Sequence, residues 1–215
     1  MINRIGKADY NPVNTDWYYS YVEVPELDAI KQELVTLLSR PVPKMNFTRY
    51  YTNIYVPNII GCPALMRYLK ALGVESKLLR ILYSKSDGPD INDAPPHVDS
   101  IIPDTSFRYS LNIPLIDADD SYTVWYKQTT PCQLLYDVNT KTGWVEDKTQ
   151  VIEIARAQYN RPLILNTSIL HGGKITSNRR TIAGLRFWPE LTDDEVQRLT
   201  GFKHGDTLPN ILTGI

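Results

Sequence analysis

Apolar side chains recur along this chain with two spacings, and the helical spacing is found mainly in the first third. Residues 27–39 repeat at the helical period, with apolar positions on one face at Ile30, Leu34, Leu37 and Leu38. A second helix is predicted between Pro63, which suits a first turn, and Gly73, which suits a C-terminal cap. Its apolar stripe consists of Leu65, Met66, Leu69 and Leu72.

From Lys77 onward the pattern changes to short β-branched and aromatic runs that Pro, Asp and Asn interrupt, which is typical of strands. These strands are predicted at 77–84, 106–115, 121–127, 131–137, 150–156, 162–168 and 180–188, after two earlier ones at 17–24 and 47–56. The number of strands predicts a mainly β fold, a double-stranded β-helix or jelly roll with N-terminal supporting helices. Thr192 and Glu195 form a capping-box pattern for a short last helix, and Gly201 ends it.

The length of 215 residues is compatible with one substantial core, and we expect a single domain over 1–215. Within it, 1–76 is expected to be a buttress of helices and strands and 77–190 the catalytic core. Residues 191–215 complete the chain as a C-terminal helix and tail.

Charge and cysteine content exclude several classes of protein. The 23 basic and 24 acidic residues nearly cancel, so we expect no nucleic-acid partner. No apolar run reaches the roughly 18 residues of a membrane span and the first residues lack the apolar core of a signal peptide, so no membrane association and a cytoplasmic location are expected. Cys62 and Cys132 are far apart and are predicted to be buried free thiols.

Three residues are candidates for a metal centre. His97 and Asp99 are two positions apart, so in extended backbone their side chains project to the same face. His171 ends an apolar run and precedes two glycines, where backbones can approach closely. Two imidazoles and one carboxylate form the facial triad that leaves open positions on non-haem Fe(II). The alternatives are a loop histidine beside a solvated Asp and a turn histidine, whereas His204 is expected to be merely exposed.

An open iron site of this kind needs an oxidisable co-substrate, and 2-oxoglutarate carries a distal carboxylate that a fixed cation would hold. If 162–171 and 180–188 form an antiparallel hairpin, Arg180 lies beside the strand end that bears His171. Ile182, Gly184 and Arg186 would share its face. Arg186 would be about 20 Å further along, too distant for the same small ligand. A surface ion pair is the alternative role for Arg180.

Several runs resemble known iron-dependent hydroxylases. The run 79–83, then Gly88, then His97 and Asp99 resembles the opening of the prolyl hydroxylases, and 108–115 and 122–126 resemble the next two strands of that barrel. Arg180 and 187–192 resemble the terminal strand and exit of the aspartyl/asparaginyl β-hydroxylases. The resemblance spans about 77–192 and indicates the 2-oxoglutarate/Fe(II)-dependent dioxygenase superfamily.

The resemblance implies roles for individual residues. His97, Asp99 and His171 would be both the iron ligands and the catalytic centre, Arg180 would hold the far carboxylate of 2-oxoglutarate, and Tyr83 and Asn112 would contact that co-substrate. The sequence departs from the families in three places. The loop from Tyr83 to His97 is longer than in prolyl hydroxylases, Asp120-Ser121 replaces their usual Gly-Gly, and the β-hydroxylases generally lack the Asp ligand.

The resemblance therefore implies an enzyme, a 2-oxoglutarate/Fe(II)-dependent oxygenase that hydroxylates an amino-acid or peptidyl side chain. The loop 85–96, Trp125 and Tyr126 could line the mouth for a small-molecule or peptide substrate, or be ordinary sheet residues. Two other readings stay open. One is a cupin-like jelly roll that binds metal without oxygenase activity, and the other is a non-catalytic β-domain.

Overall fold

The computed structural model describes residues 5–10, 17–48, 51–87, 94–99, 108–137, 142–174 and 179–201. Within these ranges the helices are α1 (Leu27–Ser39), α2 (Pro63–Ala71) and α3 (Asp193–Thr200). The strands of the first half are β1 (Ile5–Asp9), β2 (Tyr19–Tyr21), β3 (Met45–Thr48), β4 (Tyr51–Tyr55), β5 (Leu78–Asp87), β6 (Ala94–Val98) and β7 (Tyr109–Ile116). Those of the second half are β8 (Tyr122–Gln128), β9 (Gln133–Asp137), β10 (Gly143–Val145), β11 (Val151–Gln158), β12 (Leu163–Asn166), β13 (His171–Lys174) and β14 (Arg179–Phe187).

The strands form two antiparallel sheets. Sheet A has the order β1-β9-β10-β6-β13-β8-β11, and sheet B has the order β2-β12-β7-β14-β5-β4-β3. Strands β5 to β8 alternate between sheets B and A, and β11 to β14 alternate between A and B. Two such alternating sets, joined through the adjacent β8 and β11, make the predicted jelly roll, so the fold class is confirmed.

Strand β14 lies between β5 and β7 and shows why one face of sheet B is apolar and the other is not. Its odd positions, Ala183, Leu185 and Phe187, belong to the same apolar cluster as Ile30 and Leu34 of α1. Side chains alternate along a strand. The even positions therefore face the space between the sheets, and this set consists of Arg180, Ile182, Gly184 and Arg186.

The helices follow the predicted pattern closely. Ile30, Leu34 and Leu37 of α1 are fully buried, and Gly73 adopts φ +70° just after α2. The capping box of α3 has both of its hydrogen bonds, and Gly201 ends that helix at φ +73°. These local signals are enough to position the helical layer, which covers the outer face of sheet B.

Two tertiary contacts fasten the helices. The carboxylate of Glu33 in α1 accepts hydrogen bonds from the backbone amides of Ala64 and Leu65, at 2.8 and 3.0 Å, and so caps α2 from another element. Lys77, just before β5, donates to the Glu195 carboxylate of α3 at 2.5 Å. The Glu33 carboxylate thus accepts from amides at the start of α2 that have no partner within the helix. Lys77 gives the buried carboxylate of Glu195 a partner of opposite charge.

The expected strand at 162–168 and the hairpin it would form with 180–188 need correction. The chain leaves β12 after Asn166 and enters β13 at His171, and the two strands belong to different sheets. Strand β14 pairs with β5 and β7 instead of with either of them. The expected strand 47–56 is two strands, β3 and β4, which pair with each other. Strands β1, β6 and β10 had no clear signal in the sequence.

The N-terminal segment supplies a strand to each sheet. Strand β1 pairs with β9 at one edge of sheet A, and β2 pairs with β12 at one edge of sheet B. The hydroxyl of Tyr10 accepts a hydrogen bond from the amide of Leu170 at 3.2 Å. Among the described residues, no helix is both long and apolar enough to cross a membrane.

Candidate metal centre and co-substrate pocket

His97 and His171 lie directly opposite each other on the paired strands β6 and β13. Asp99 follows the end of β6, and its backbone amide donates to the Thr167 carbonyl at 3.4 Å. The two imidazole rings are 4.4 Å apart between centroids. The nitrogen and oxygen ligand atoms of the three side chains all lie within 4.8 Å of one another. The structure thus brings together the three residues that the sequence proposed as ligands.

Close approach of β6 and β13 depends on Gly172. A Cβ on this residue would lie 2.7 Å from the backbone oxygen of Ala94 and 3.3 Å from that of Pro95. Both oxygens belong to β6, so a side chain here would push the strand of His97 away from the strand of His171. At Gly173 the nearest atom to an added Cβ is 3.5 Å away, which is an ordinary contact.

The two imidazoles are held in the same way. His97 Nδ1 lies 2.7 Å from the carbonyl oxygen of Pro95, and His171 Nδ1 lies 2.8 Å from that of Ile169. A carbonyl oxygen only accepts, so each Nδ1 carries a proton, and the neutral form of each ring has its lone pair on Nε2. Both Nε2 atoms face Asp99 Oδ1, at 3.6 and 3.7 Å. Carbonyl-oriented histidines of this kind are typical of metal ligands.

The charges of the three residues favour metal binding at neutral pH. Burial, and then the neighbouring His97 ring, lower the pKa of His171 to about 4. Burial alone would raise the pKa of Asp99, but the guanidinium of Arg186 and the two histidines hold it well below its usual range. Asp99 is therefore ionised and His171 neutral, the protonation states that a divalent metal needs in its ligands.

Arg186 is a neighbour of the triad that the sequence did not identify. Its Nη2 lies 2.7 Å from Asp99 Oδ2, and its Nη1 donates to Thr167 Oγ1 at 3.4 Å. The side chain is only 10% exposed. The signal in the sequence was one charge within the apolar run 182–187, because a buried arginine needs an anionic partner.

Arg180 lies on the same inner face, toward the other end of β14. It is 6% exposed, and its Nη2 donates to Ser84 Oγ at 3.4 Å. A Cβ on Gly173 of β13 would be 3.8 Å from that same nitrogen, so Arg180 faces the strand of His171 across the two sheets. Burial raises the pKa of Tyr51, against the opposing charge of Arg180. Tyr51 and Ser84, neither of which the sequence suggested, therefore share the pocket of Arg180.

The expected contact between Tyr83 and the co-substrate does not agree with the structure. Tyr83 is fully buried among the residues that face the helices, and its hydroxyl donates to the Leu34 carbonyl of α1 at 3.0 Å. Side chains alternate along β5, so the residue of this strand that faces Arg180 is Ser84. Because neighbouring residues of a strand point to opposite faces, Tyr83 lies on the opposite side of sheet B from Ser84 and Arg180.

Asn112 lies on the inner face of β7 within a chain of hydrogen bonds. Its Nδ2 donates to the Tyr159 hydroxyl at 2.9 Å, and its Oδ1 accepts from Ser110 at 2.5 Å. Tyr159 in turn bonds Thr123 Oγ1 at 2.6 Å, which links sheet B to sheet A. A direct contact between Asn112 and 2-oxoglutarate stays a prediction, since the protein itself supplies these partners.

Among the other residues that the sequence singled out, Trp125 of β8 lies directly opposite His171 of β13. Trp125 is fully buried, and its Nε1 donates to the Asn166 carbonyl at 3.1 Å, so it is a core residue. Tyr126 packs against a different apolar cluster that includes Val98. His204 and residues 88–93 of the expected mouth loop lie outside the described residues. Both cysteines are buried free thiols, as predicted.

The donor set fits a divalent transition metal. Two imidazole nitrogens with free lone pairs and one ionised carboxylate oxygen converge from one side, and the described residues add no fourth histidine, cysteine or acidic ligand to the group. A closed structural zinc site has four protein ligands, whereas three leave room for exogenous ligands. The arrangement could therefore hold a metal ion that also binds a small molecule.

Sequence comparison with known proteins finds no relative, and structural comparison finds distant similarities. No protein-family model and no curated protein matches the chain. One similar solved structure is the non-heme alpha-ketoglutarate-dependent carbocyclase SnoK from nogalamycin biosynthesis, with a TM-score of 0.47 and 11% identity over 90% of this chain and 89% of that one. Another is AviO1 from Streptomyces viridochromogenes Tue57, with a TM-score of 0.42 and 14% identity over 88% and 93% of the two chains. With similarity this low, the fold assignment rests on the order of the strands and the function on the geometry of the site.

Proposed function

We propose that this protein is an Fe(II)- and 2-oxoglutarate-dependent oxygenase that hydroxylates an amino-acid or peptidyl side chain. The observation that carries the proposal is the convergence of two Nε2 lone pairs and Asp99 Oδ1, with a buried arginine pocket on the opposite sheet. His97, Asp99 and His171 would hold Fe(II). When bound, the iron would supply activation of oxygen, with 2-oxoglutarate as the source of electrons.

The protein's own contribution is to bind and orient. Arg180 offers its guanidinium to a carboxylate, and the side chains of Ser84 and Tyr51 lie beside it as hydroxyl donors. A buried arginine recognises a carboxylate through paired, charge-assisted hydrogen bonds. We assign this pocket to the far carboxylate of 2-oxoglutarate, whose keto-acid end would then extend toward the triad.

Hydroxylation and the class of substrate are proposed on narrower grounds. Asp99 supplies a carboxylate at the third ligand position, the position that a halide would need, so hydroxylation is favoured over halogenation. The amino-acid or peptide substrate is proposed from the motif resemblance alone. Its test is consumption of 2-oxoglutarate that depends on an added peptide, with the modified position read by mass spectrometry.

The decisive experiment is an anaerobic Fe(II) titration with and without 2-oxoglutarate, monitored by the visible charge-transfer absorption of an iron-chelated keto acid. We expect the band in the wild type, its loss in His171→Ala and at least about tenfold weaker 2-oxoglutarate binding in Arg180→Met. Arg161→Met, at an exposed arginine that stacks on Tyr21, is the matched control and should behave as wild type. Metal binding without a band would favour the cupin-like alternative, and absence of metal binding would refute the site.

A further inference from the structure

The two oxygens of the Asp99 carboxylate have different partners. Oδ1 faces both imidazoles, at 3.6 and 3.7 Å from their Nε2 atoms. Oδ2 faces away from them and lies 2.7 Å from Nη2 of Arg186. One oxygen of the carboxylate is therefore directed at the two imidazoles, and the other is paired with the arginine.

Thr167 contacts both Asp99 and Arg186 and so helps to hold the carboxylate in this orientation. Its backbone oxygen accepts from the Asp99 amide at 3.4 Å, and its hydroxyl accepts from Arg186 Nη1 at 3.4 Å. Asp99 and Arg186 are thus both attached to the segment that leaves β12. Arg186 has little freedom to move, because it is 8% exposed on a central strand of sheet B.

A carboxylate ligand can bind a metal through one oxygen or through both. If Asp99 used both, the three side chains would occupy four positions on the metal and leave one fewer for small molecules. An arginine that is paired with Oδ2 competes with the metal for that oxygen and so disfavours binding through both oxygens. Neighbours of this kind orient the ligands of metal sites and commonly change affinity or activity by 10–100-fold when removed.

Charge acts in the same direction. Asp99 and Arg186 cancel, and a histidine that keeps its lone pair is neutral, so the protein offers a metal no net negative charge at this point. A bound divalent ion would keep its charge of two, which the carboxylate at the keto-acid end of 2-oxoglutarate would partly neutralise, while Arg180 would pair with the far carboxylate. The pairing thus favours an anionic co-ligand on the metal.

We propose that Arg186 is a positioning residue that reserves Oδ2 of Asp99, so that the aspartate binds metal through Oδ1 alone and leaves room for a chelating keto acid. This inference rests on the metal centre of the proposed function. It assigns to Arg186 a role distinct from that of Arg180, which lies at the co-substrate pocket on the same face of β14.

The test uses the intact protein loaded with Co(II) under anaerobic conditions, so no turnover is needed. The infrared difference spectrum between metal-bound and metal-free protein reports how a carboxylate binds, because one-oxygen binding separates its two stretching bands widely. Binding of 2-oxoglutarate is measured on the same sample by visible absorption. The variants are Arg186→Met and Thr167→Val, and the matched control is Arg156→Met, at an exposed arginine paired with Glu153.

We expect the wide band separation in the wild type and in the Arg156→Met control. Arg186→Met should narrow the separation and weaken 2-oxoglutarate binding at least about tenfold. Thr167→Val removes the hydroxyl that supports Nη1 and leaves the pair of Nη2 with Oδ2, so it should shift both readouts in the same direction by less. It also provides the test if Arg186→Met does not fold. Unchanged bands and affinity in the folded variants would overturn the role of Arg186 while leaving the proposed function intact. A wild-type protein that binds no Co(II) would overturn both.

Discussion

Replacement of Gly172 by alanine tests whether the contact between β6 and β13 builds the metal centre. The new Cβ would lie 2.7 Å from the Ala94 oxygen, and an ordinary contact begins at 3.4 Å. The two strands must therefore separate by about 0.7 Å, because a backbone carbonyl has no side-chain rotation with which to yield. His97 is three residues from that carbonyl and pairs with His171. Functional groups need to be held within about 0.5 Å, so the ligands should lose their fit.

The magnitude follows from overpacking. Inserting a methyl group into a close contact costs about 1–3 kcal/mol, and for a chain of this length each kcal/mol lowers the melting temperature by about 2–4 °C. We expect Gly172→Ala to melt about 2–12 °C below the wild type. Its affinity for Co(II) should fall at least about tenfold, as for other losses of ligand orientation.

Gly173→Ala is the matched control, since its Cβ would meet only ordinary contacts from 3.5 Å outward. Both substitutions restrict the unfolded chain equally, so that entropic gain cancels in the comparison. Melting is followed by circular dichroism and Co(II) binding by visible absorption. If the two variants melt together and bind Co(II) equally well, the steric account of the β6–β13 contact is refuted.

Three further substitutions test contacts described above. Glu33→Ala removes both acceptors at the start of α2 and should lower the free energy of unfolding in urea by about 1–2 kcal/mol, whereas exposed Gln32→Ala should change it little. Burial raises the pKa of Glu195 but Lys77 lowers it below its usual value, so the stability from this pair is full above about pH 4.3 and is lost on acidification. Lys77→Met should therefore flatten the acid side of the melting-temperature profile, and an unaltered profile would contradict the pairing. Tyr159→Phe removes the hydroxyl partner of buried Thr123 and half-buried Asn112 and should cost about 1–3 kcal/mol in the same urea assay, which an unchanged midpoint would disprove.

Local signals were sufficient for the helices. The stripe of Ile30, Leu34 and Leu37 and the capping box at Thr192 act within a few residues, so the sequence alone determines them. The apolar runs likewise predicted seven of the strands after Lys77, enough to indicate the jelly roll, but not β6, β10 and β13. Contacts such as Glu33 on the start of α2 join segments about thirty residues apart, and no local pattern could have indicated them.

The metal centre was predictable in part for the same reason. His97 and Asp99 share a face because they are two residues apart in extended backbone, which needs no knowledge of the sheet. The reasoning for Arg180 assumed that β12 and β13 were one strand paired with β14, which is wrong, yet Arg180 still lies on the inner face.

Which face of a strand becomes the inner one is decided by packing between distant segments, and no local sequence pattern contains that information. Tyr83 and Ser84 are neighbours with opposite surroundings, one against α1 and the other against Arg180. Apolar character alone favours the tyrosine for the core but does not say on which side of sheet B that core lies. Arg186 was judged only by its distance from Arg180, and its real partner, Asp99, belongs to the other sheet.

Strands β1 and β2 also have a consequence for self-association of the protein. Strand β1 occupies an edge of sheet A, and β2 occupies an edge of sheet B beside β12, whose four residues are all buried. Exposed backbone at a sheet edge is a template for pairing with another chain. A chain trimmed to begin at Val22 would make β9 the edge of sheet A and β12 the edge of sheet B. Because β12 is buried in the whole protein, shortening this end would invite self-association through that strand.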